Sequence, residues 1–102
     1  MCGIAGKLSY RRNMQERETI VNSMISVLAN RGPDGKGIES SSNITLGHTR
    51  LAILDLTENA DQPMCDESSR FFIVYNGEVY NFKELREELI KLNYEFFSTS
   101  DT

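Results

Sequence analysis

Apolar and polar positions recur along the chain with periods that divide it into a few short elements. Residues 2–9 predict a strand, with Ile4 and Leu8 apolar and Gly3 and Gly6 marking close backbone approach. From Gln15 to Arg31, Ile20, Val21, Met24, Ile25 and Leu28 recur at helical spacing and form one apolar stripe. Arg31 falls in the expected last turn, where a cation complements the helix dipole. Gly32-Pro33-Asp34-Gly35 then stops the helix in a turn. The polar stretch Ser40–Asn43 leads into a second strand, Ile44–Leu51, which Ala52–Asp55 extends after a kink. A regular strand here places His48 and Arg50 on the same face. Thr57–Ser69 is polar, holds Pro63 and reads as a loop. Phe71–Tyr75 is a continuous apolar and aromatic run, the mark of a strand buried on both faces. Asn76-Gly77 interrupts it, and Glu78–Tyr80 predicts a short partner strand. Asn81 is placed as an N-cap, with Glu84 completing a capping box. Phe82, Leu85, Leu89 and Leu92 line one face of the helix that follows, and Glu87 and Lys91 make a favourable i,i+4 pair. Tyr94–Phe96 opens a further strand.

These elements fit in 102 residues, enough for one small domain with a modest core. The 39% apolar and 25% charged content is that of an ordinary globular protein. A net charge of −4, with Arg11-Arg12 and Arg31 dispersed, argues against nucleic acid as a partner, because that needs a basic patch. No apolar run approaches the roughly 18 residues of a membrane span. Lys7, Arg11 and Arg12 interrupt any apolar signal-peptide segment, so no membrane association is expected. Two cysteines, Cys2 and Cys65, make no disulfide framework and point to a reducing, cytoplasmic compartment.

The chemistry begins at Cys2. Once Met1 is removed, this residue carries a thiol nucleophile and a free α-amine together. An α-amine has a pKa of roughly 7.7–8.0, so it can take and return a proton near neutral pH without a histidine partner. Attack on an amide generates an oxyanion, for which Asn76 offers a side-chain amide and Gly77 a backbone N–H. The same dipeptide is also the strongest short signal for a type I′ hairpin turn. Arg50 offers a planar fork for a carboxylate, or is a surface arginine. Glu78 and Asp101 are candidates for an ammonium group, or are simply solvated. His48, the only histidine, could pair with Cys2 as an imidazole base, or be a structural residue of its strand. Cys65 sits in a polar loop and looks incidental. Neither metal-ligand spacing nor a phosphate-cradling glycine loop is present.

Six blocks occur in one order: Met1-Cys2-Gly3-Ile4-Ala5-Gly6, Arg31-Gly32-Pro33-Asp34-Gly35, Gly47 through Leu56, Gln62-Pro63-Met64, Tyr75 through Asn81, and Ser100-Asp101-Thr102. In these blocks the chain resembles the N-terminal glutaminase domain of glutamine-hydrolysing asparagine synthetases, among the class II (N-terminal nucleophile) glutamine amidotransferases. The resemblance implies an α+β fold of the N-terminal nucleophile hydrolase type. That fold is a four-layer α/β/β/α sandwich with antiparallel sheets, of which residues 1–102 would be an incomplete N-terminal portion. It implies glutamine as substrate, with Cys2 forming a γ-glutamyl thioester and Asn76 and Gly77 forming the oxyanion hole. Arg50 would hold the α-carboxylate of glutamine, and Glu78 and Asp101 its α-amino group. The ammonia would feed ATP-dependent asparagine synthesis from aspartate. ATP and magnesium would belong to a C-terminal synthetase domain, whose Ser-Gly-Gly-x-Asp-Ser loop is absent from these residues; no cofactor or metal is expected here. That synthetase domain is the expected partner, and a homodimer is a further one. Two other readings stay open: an amidotransferase serving a sugar or polysaccharide acceptor, and a non-catalytic interaction module.

Overall fold

The computed structural model describes residues 1–11 and 13–102, and Arg12, one of the basic residues weighed above, lies outside them. Three strands form an antiparallel sheet in the order β1 (Gly3–Leu8), β3 (Ile44–Arg50), β2 (Gly35–Ser40). The register sets Ile4 and Gly37 beside His48, and Gly35 beside Arg50. Side-chain alternation therefore puts His48 and Arg50 on one face, as expected, and Thr45, Gly47 and Thr49 on the other.

Helix α1 (Met14–Val27) packs on the second of these faces. Asn13 caps it, its Oδ1 accepting from the Glu16 N–H at 3.0 Å. Val21 and Ile25 are its buried apolar residues, whereas Met24 is exposed. The stripe also contains Arg17, four residues before Val21 and only 1% exposed. Its guanidinium donates to Thr45 Oγ1 and to the carbonyls of Arg11, Ser41 and Ser42, tying the helix start to the β2–β3 turn. Apolar periodicity alone cannot reveal a cation buried on carbonyl acceptors. The helix also ends earlier than predicted. After Val27 the backbone tightens into i→i−3 bonds, so Arg31 lies beyond the last helical turn and not within it.

The helix approaches the sheet at Gly47. A Cβ there would lie 2.6 Å from Val21 Cγ1 and 2.8 Å from Ile25 Cγ2. Gly47→Ala should therefore push α1 off the sheet and cost about 1–3 kcal/mol, measurable by urea denaturation.

A two-stranded ribbon, β4 (Met64–Cys65) and β5 (Phe72–Ile73), forms a second sheet. Its turn is organised by Asp66, whose carboxylate accepts from the N–H groups of Ser68, Arg70 and Phe71. Residues 57–69 are thus not one loop: they contain a single 3-10 turn at Glu58–Ala60 and strand β4. Nor is Phe71–Tyr75 a strand buried on both faces. It pairs over two residues only, and Phe71 and Ile73 are 66% and 48% exposed. The ladder stops because the Tyr75 N–H is taken by the Gln62 side chain at 2.5 Å.

Several further expectations fail for similar local reasons. Residues 52–55 do not extend β3; they curl around the Arg50 guanidinium. Neither Glu78–Tyr80 nor Tyr94–Phe96 forms a strand. Helix α2 (Phe82–Lys91) starts at Asn81, but the Asn81 side chain makes no capping hydrogen bond. Its apolar face is partly exposed, because α2 packs closely on no other named element. Strand β2 was not legible: its two glycines and its charged Lys36 and Glu39 carry little strand propensity.

The described residues thus form a small α+β unit with antiparallel sheets. Its radius of gyration is 14.6 Å, above the roughly 13 Å expected for a compact domain of this length. The sheet face away from α1 is open at Ile4 and Leu8 and covered elsewhere by the 54–63 segment.

Candidate active site

Strand β1 delivers Cys2 to the rim of the sheet, and three neighbours fix it there. The Leu51 N–H donates to Cys2 Sγ at 3.3 Å. Arg31 Nε–H donates to the Cys2 carbonyl at 3.3 Å. The next residue, Gly3, donates its N–H to Thr49 Oγ1 at 3.1 Å, and Thr49 in turn donates to the Leu28 carbonyl. Backbone on both sides of the thiol is therefore held by the end of β3 and the segment after α1. The Arg31–Gly35 block serves the same end. The Asp34 N–H donates to the Arg50 carbonyl, and Asp34 Oδ2 accepts from Ala52 N–H. Met1 precedes the cysteine and is 72% exposed, within reach of a processing aminopeptidase.

Beside Cys2 opens a cavity of about 400 Å3. Cys2, Arg50, Asn76, Gly77, Glu78 and Asp101 all line it. The structure therefore gathers in one place every site residue singled out from sequence. Asn76 and Gly77 do not form a type I′ hairpin turn, since neither has a positive φ and no strand follows. Asp101 Oδ2 accepts from the Val79 N–H at 2.8 Å, which ties the Asp101 segment to the residue after Glu78.

Among the residues lining the cavity, Arg50 is far from a free surface arginine. It is buried, and its Nη1 donates to the Thr57 carbonyl at 2.7 Å and to Asp61 Oδ1 at 2.8 Å. Its Nη2 donates to the Leu54 and Asp55 carbonyls. Four of its five N–H donors are thus committed to the 54–61 segment, leaving Nε–H. The fork organises the loop that walls the cavity.

Asp55 holds the other side of that loop. Its Oδ1 accepts from the N–H and hydroxyl of Thr57, and its Oδ2 accepts from the Thr99 N–H at 2.6 Å. The Thr57 hydroxyl first, then the Thr99 and Thr57 amides, hold its carboxyl far below the usual carboxylate range. This bond joins the loop to the segment carrying Asp101. Asp-x-Thr spacing was a readable turn signal for Asp55. Asp61 had no signal, being an isolated acid in a polar stretch.

His48 is 1% exposed, and neither ring nitrogen has a hydrogen-bond partner among the described residues. Burial lowers its pKa, Arg50 adds to the effect, and the Tyr75 backbone and Asp61 oppose it. Burial thus favours the neutral form of the ring. It lines the cavity, but the base role beside Cys2 gains no support, since the Cys2 sulfur interacts with the Leu51 backbone instead. Both cysteines are free thiols, and Cys65 is exposed at the end of β4. No cluster of three or more His, Cys, Asp or Glu residues that could hold a metal occurs among the described residues. Nor is any described helix long and apolar enough to cross a membrane.

Residues 1–102 match the family described as "Glutamine amidotransferase domain". The chain is 36% identical over 104 residues to asparagine synthetase (glutamine-hydrolyzing) 3 of Bacillus subtilis, covering 100% of this chain and 17% of that protein. It is 38% identical over 104 residues to asparagine synthetase (glutamine-hydrolyzing) 1 of the same organism, covering 100% and 16%. A third relative is the putative asparagine synthetase (glutamine-hydrolyzing) 2 of Methanocaldococcus jannaschii, 40% identical over 120 residues, covering 100% and 22%. The chain thus spans about a sixth to a fifth of the length of these relatives.

Proposed function

Because the chain belongs to the glutamine amidotransferase domain family, we propose that it hydrolyses the side-chain amide of glutamine to glutamate and ammonia, with Cys2 as the nucleophile. The observation that carries this reading is the convergence of Cys2, Arg50, Asn76, Gly77, Glu78 and Asp101 on one cavity.

The reaction starts with loss of Met1, which turns the Cys2 nitrogen from a peptide N–H into a free amine. The amine takes the thiol proton. Sulfur then bonds to the amide carbon, and the carbonyl π electrons move to oxygen. The Asn76 side chain and Gly77 N–H receive that oxyanion. The amine returns its proton to the leaving nitrogen, the C–N bond breaks and ammonia departs. Water attacks the resulting γ-glutamyl thioester, the C–S bond breaks, and glutamate leaves with the thiol restored. Arg50 Nε–H, the donor left over from the loop, faces the α-carboxylate. Glu78 and the remaining oxygen of Asp101 receive the α-ammonium.

Relatives named as asparagine synthetases support a role in supplying ammonia for asparagine synthesis from aspartate. In that reading residues 1–102 are the N-terminal part of an amidotransferase domain of the four-layer N-terminal nucleophile type. The parent chain continues into a synthetase domain that handles ATP and magnesium, and the enzyme works in the cytoplasm. No cofactor acts on the residues of the glutaminase site itself.

Intact-mass analysis tests the proposal. Treatment with a glutamine-like diazoketone should leave one adduct, on Cys2, in chains that lack Met1. Met1 retained throughout, with Cys2 inert, would replace the enzyme by a non-catalytic module.

A further inference from the structure

Gln62 is only 7% exposed, and the two polar ends of its side chain reach different walls of the cavity, at Tyr75 and Thr102. Its Oε1 accepts from the Tyr75 N–H at 2.5 Å, one residue before Asn76-Gly77. That donor fixes which end of the carboxamide is oxygen. Its Nε2 donates to Thr102 Oγ1 at 3.3 Å, one residue after Asp101. Its backbone carbonyl lies on β2 at Gly37, where a Cβ would come within 2.2 Å of the oxygen. Gly37 pairs with His48, so this contact seats Gln62 on the face that carries His48 and Arg50. Only glycine at 37 permits that seat.

Three segments with separate sequence origins thus meet at one residue: the sheet at its backbone carbonyl, and the Asn76-Gly77 and Asp101 segments at its side chain. Asn76 and Gly77 belong to no strand or helix, so no ladder of hydrogen bonds fixes their distance from Cys2. An oxyanion hole works only if its donors are already in place when charge develops. Resting on the glutaminase reading above, we infer that Gln62 is a positioning residue that holds the Asn76-Gly77 oxyanion donors, and secondarily Asp101, in register with Cys2. It touches neither substrate nor sulfur in this role.

The test compares Gln62→Met with Gln62→Glu in the intact protein. Methionine keeps the volume and removes both hydrogen bonds. Glutamate keeps an acceptor for the Tyr75 N–H, and the Thr102 hydroxyl can donate to it. Three readouts are needed: kcat and KM for glutamine, alkylation of Cys2 by iodoacetamide, and affinity for an aldehyde analogue of glutamine. With the aldehyde, the thiol adds across C=O, forming an S–C bond and placing an oxyanion in the same hole. Iodoacetamide reads the thiol and the fold without the hole.

Gln62→Met should lower kcat about 10- to 100-fold. It should weaken the aldehyde by a similar factor, change KM less, and leave the iodoacetamide rate unchanged. Gln62→Glu should recover most of the kcat. A reactive wild type with a Gln62→Met variant of unaltered kcat and aldehyde affinity overturns the positioning role alone. So does parallel loss of every readout, iodoacetamide included, with no recovery in Gln62→Glu. A wild type inert to both glutamine and the aldehyde overturns the underlying reading as well.

Discussion

Replacing Cys2 with alanine is expected to abolish glutamine hydrolysis, lowering kcat by about four to six orders of magnitude, the scale seen when a covalent nucleophile is removed. The loss should be confined to the glutamine reaction. Cys2 side-chain contacts are a single N–H from Leu51 and a weak S–H to its carbonyl. The surrounding backbone is held independently, through Arg31 on the Cys2 carbonyl and Thr49 on the Gly3 N–H. Truncation at Cβ leaves those bonds intact, so the fold should lose little, and urea midpoints should shift by less than about 1 kcal/mol. If the parent chain makes asparagine, its use of free ammonia should persist in Cys2→Ala. Loss of both activities together would make Cys2 a structural residue. A form of the wild type that keeps Met1 should be nearly as inert as the alanine variant, because its Cys2 nitrogen is a peptide N–H and cannot accept the thiol proton. Full activity in a chain shown by mass to carry Met1 would remove the α-amine from the mechanism.

What sequence could and could not reveal follows from the range of each interaction. β1, the middle of α1, β3 and the shared face of His48 and Arg50 are set by residues within a few positions of each other, and periodicity reads them. Predictions failed where a distant partner decides the local form. The Phe71–Tyr75 run has strand propensity throughout, yet the Gln62 side chain captures the Tyr75 N–H and ends the ladder. Residues 52–55 look like a strand extension, yet the Arg50 guanidinium collects their carbonyls and curls them back. β2 is a strand because it pairs with β3 along its length, and Gly37 lets the Gln62 carbonyl lie against it; neither contact is visible in the local pattern. The candidate site residues stand out by chemistry and by their order in the chain, and they line one cavity. The holding roles of Arg31, Asp61 and Gln62 are not legible in the sequence, because each depends on a partner distant along the chain: the Cys2 carbonyl, the Arg50 guanidinium and the Tyr75 N–H.

Arg50→Lys is the second substitution with a large expected effect, and it separates two jobs that one guanidinium performs. Four N–H donors bind the 54–61 segment, at Leu54, Asp55, Thr57 and Asp61. Lysine offers three donors from one point and cannot reach acceptors arranged around a plane. At least one or two carbonyls then lose their partner, at about 1–3 kcal/mol for each group left buried and unpaired. The loop that walls the cavity should loosen. The donor proposed for the α-carboxylate, Nε–H, is also lost. A hydrogen bond involving a charged group is worth about 1.5–3 kcal/mol, so KM for glutamine should rise roughly 10- to 100-fold. Asp61→Asn distinguishes the two contributions. It keeps the guanidinium and its Nε–H while weakening one strut of the loop, and Asp61 is half-exposed in that pair. If Arg50 grips substrate, Asp61→Asn should leave KM within about threefold of wild type while Arg50→Lys raises it strongly. If Arg50 serves only the loop, both variants should lose stability and kcat together, with KM little changed. A KM for Arg50→Lys within twofold of the wild type, read by steady-state kinetics, would take the carboxylate away from Arg50 and leave it a staple of the 54–61 segment.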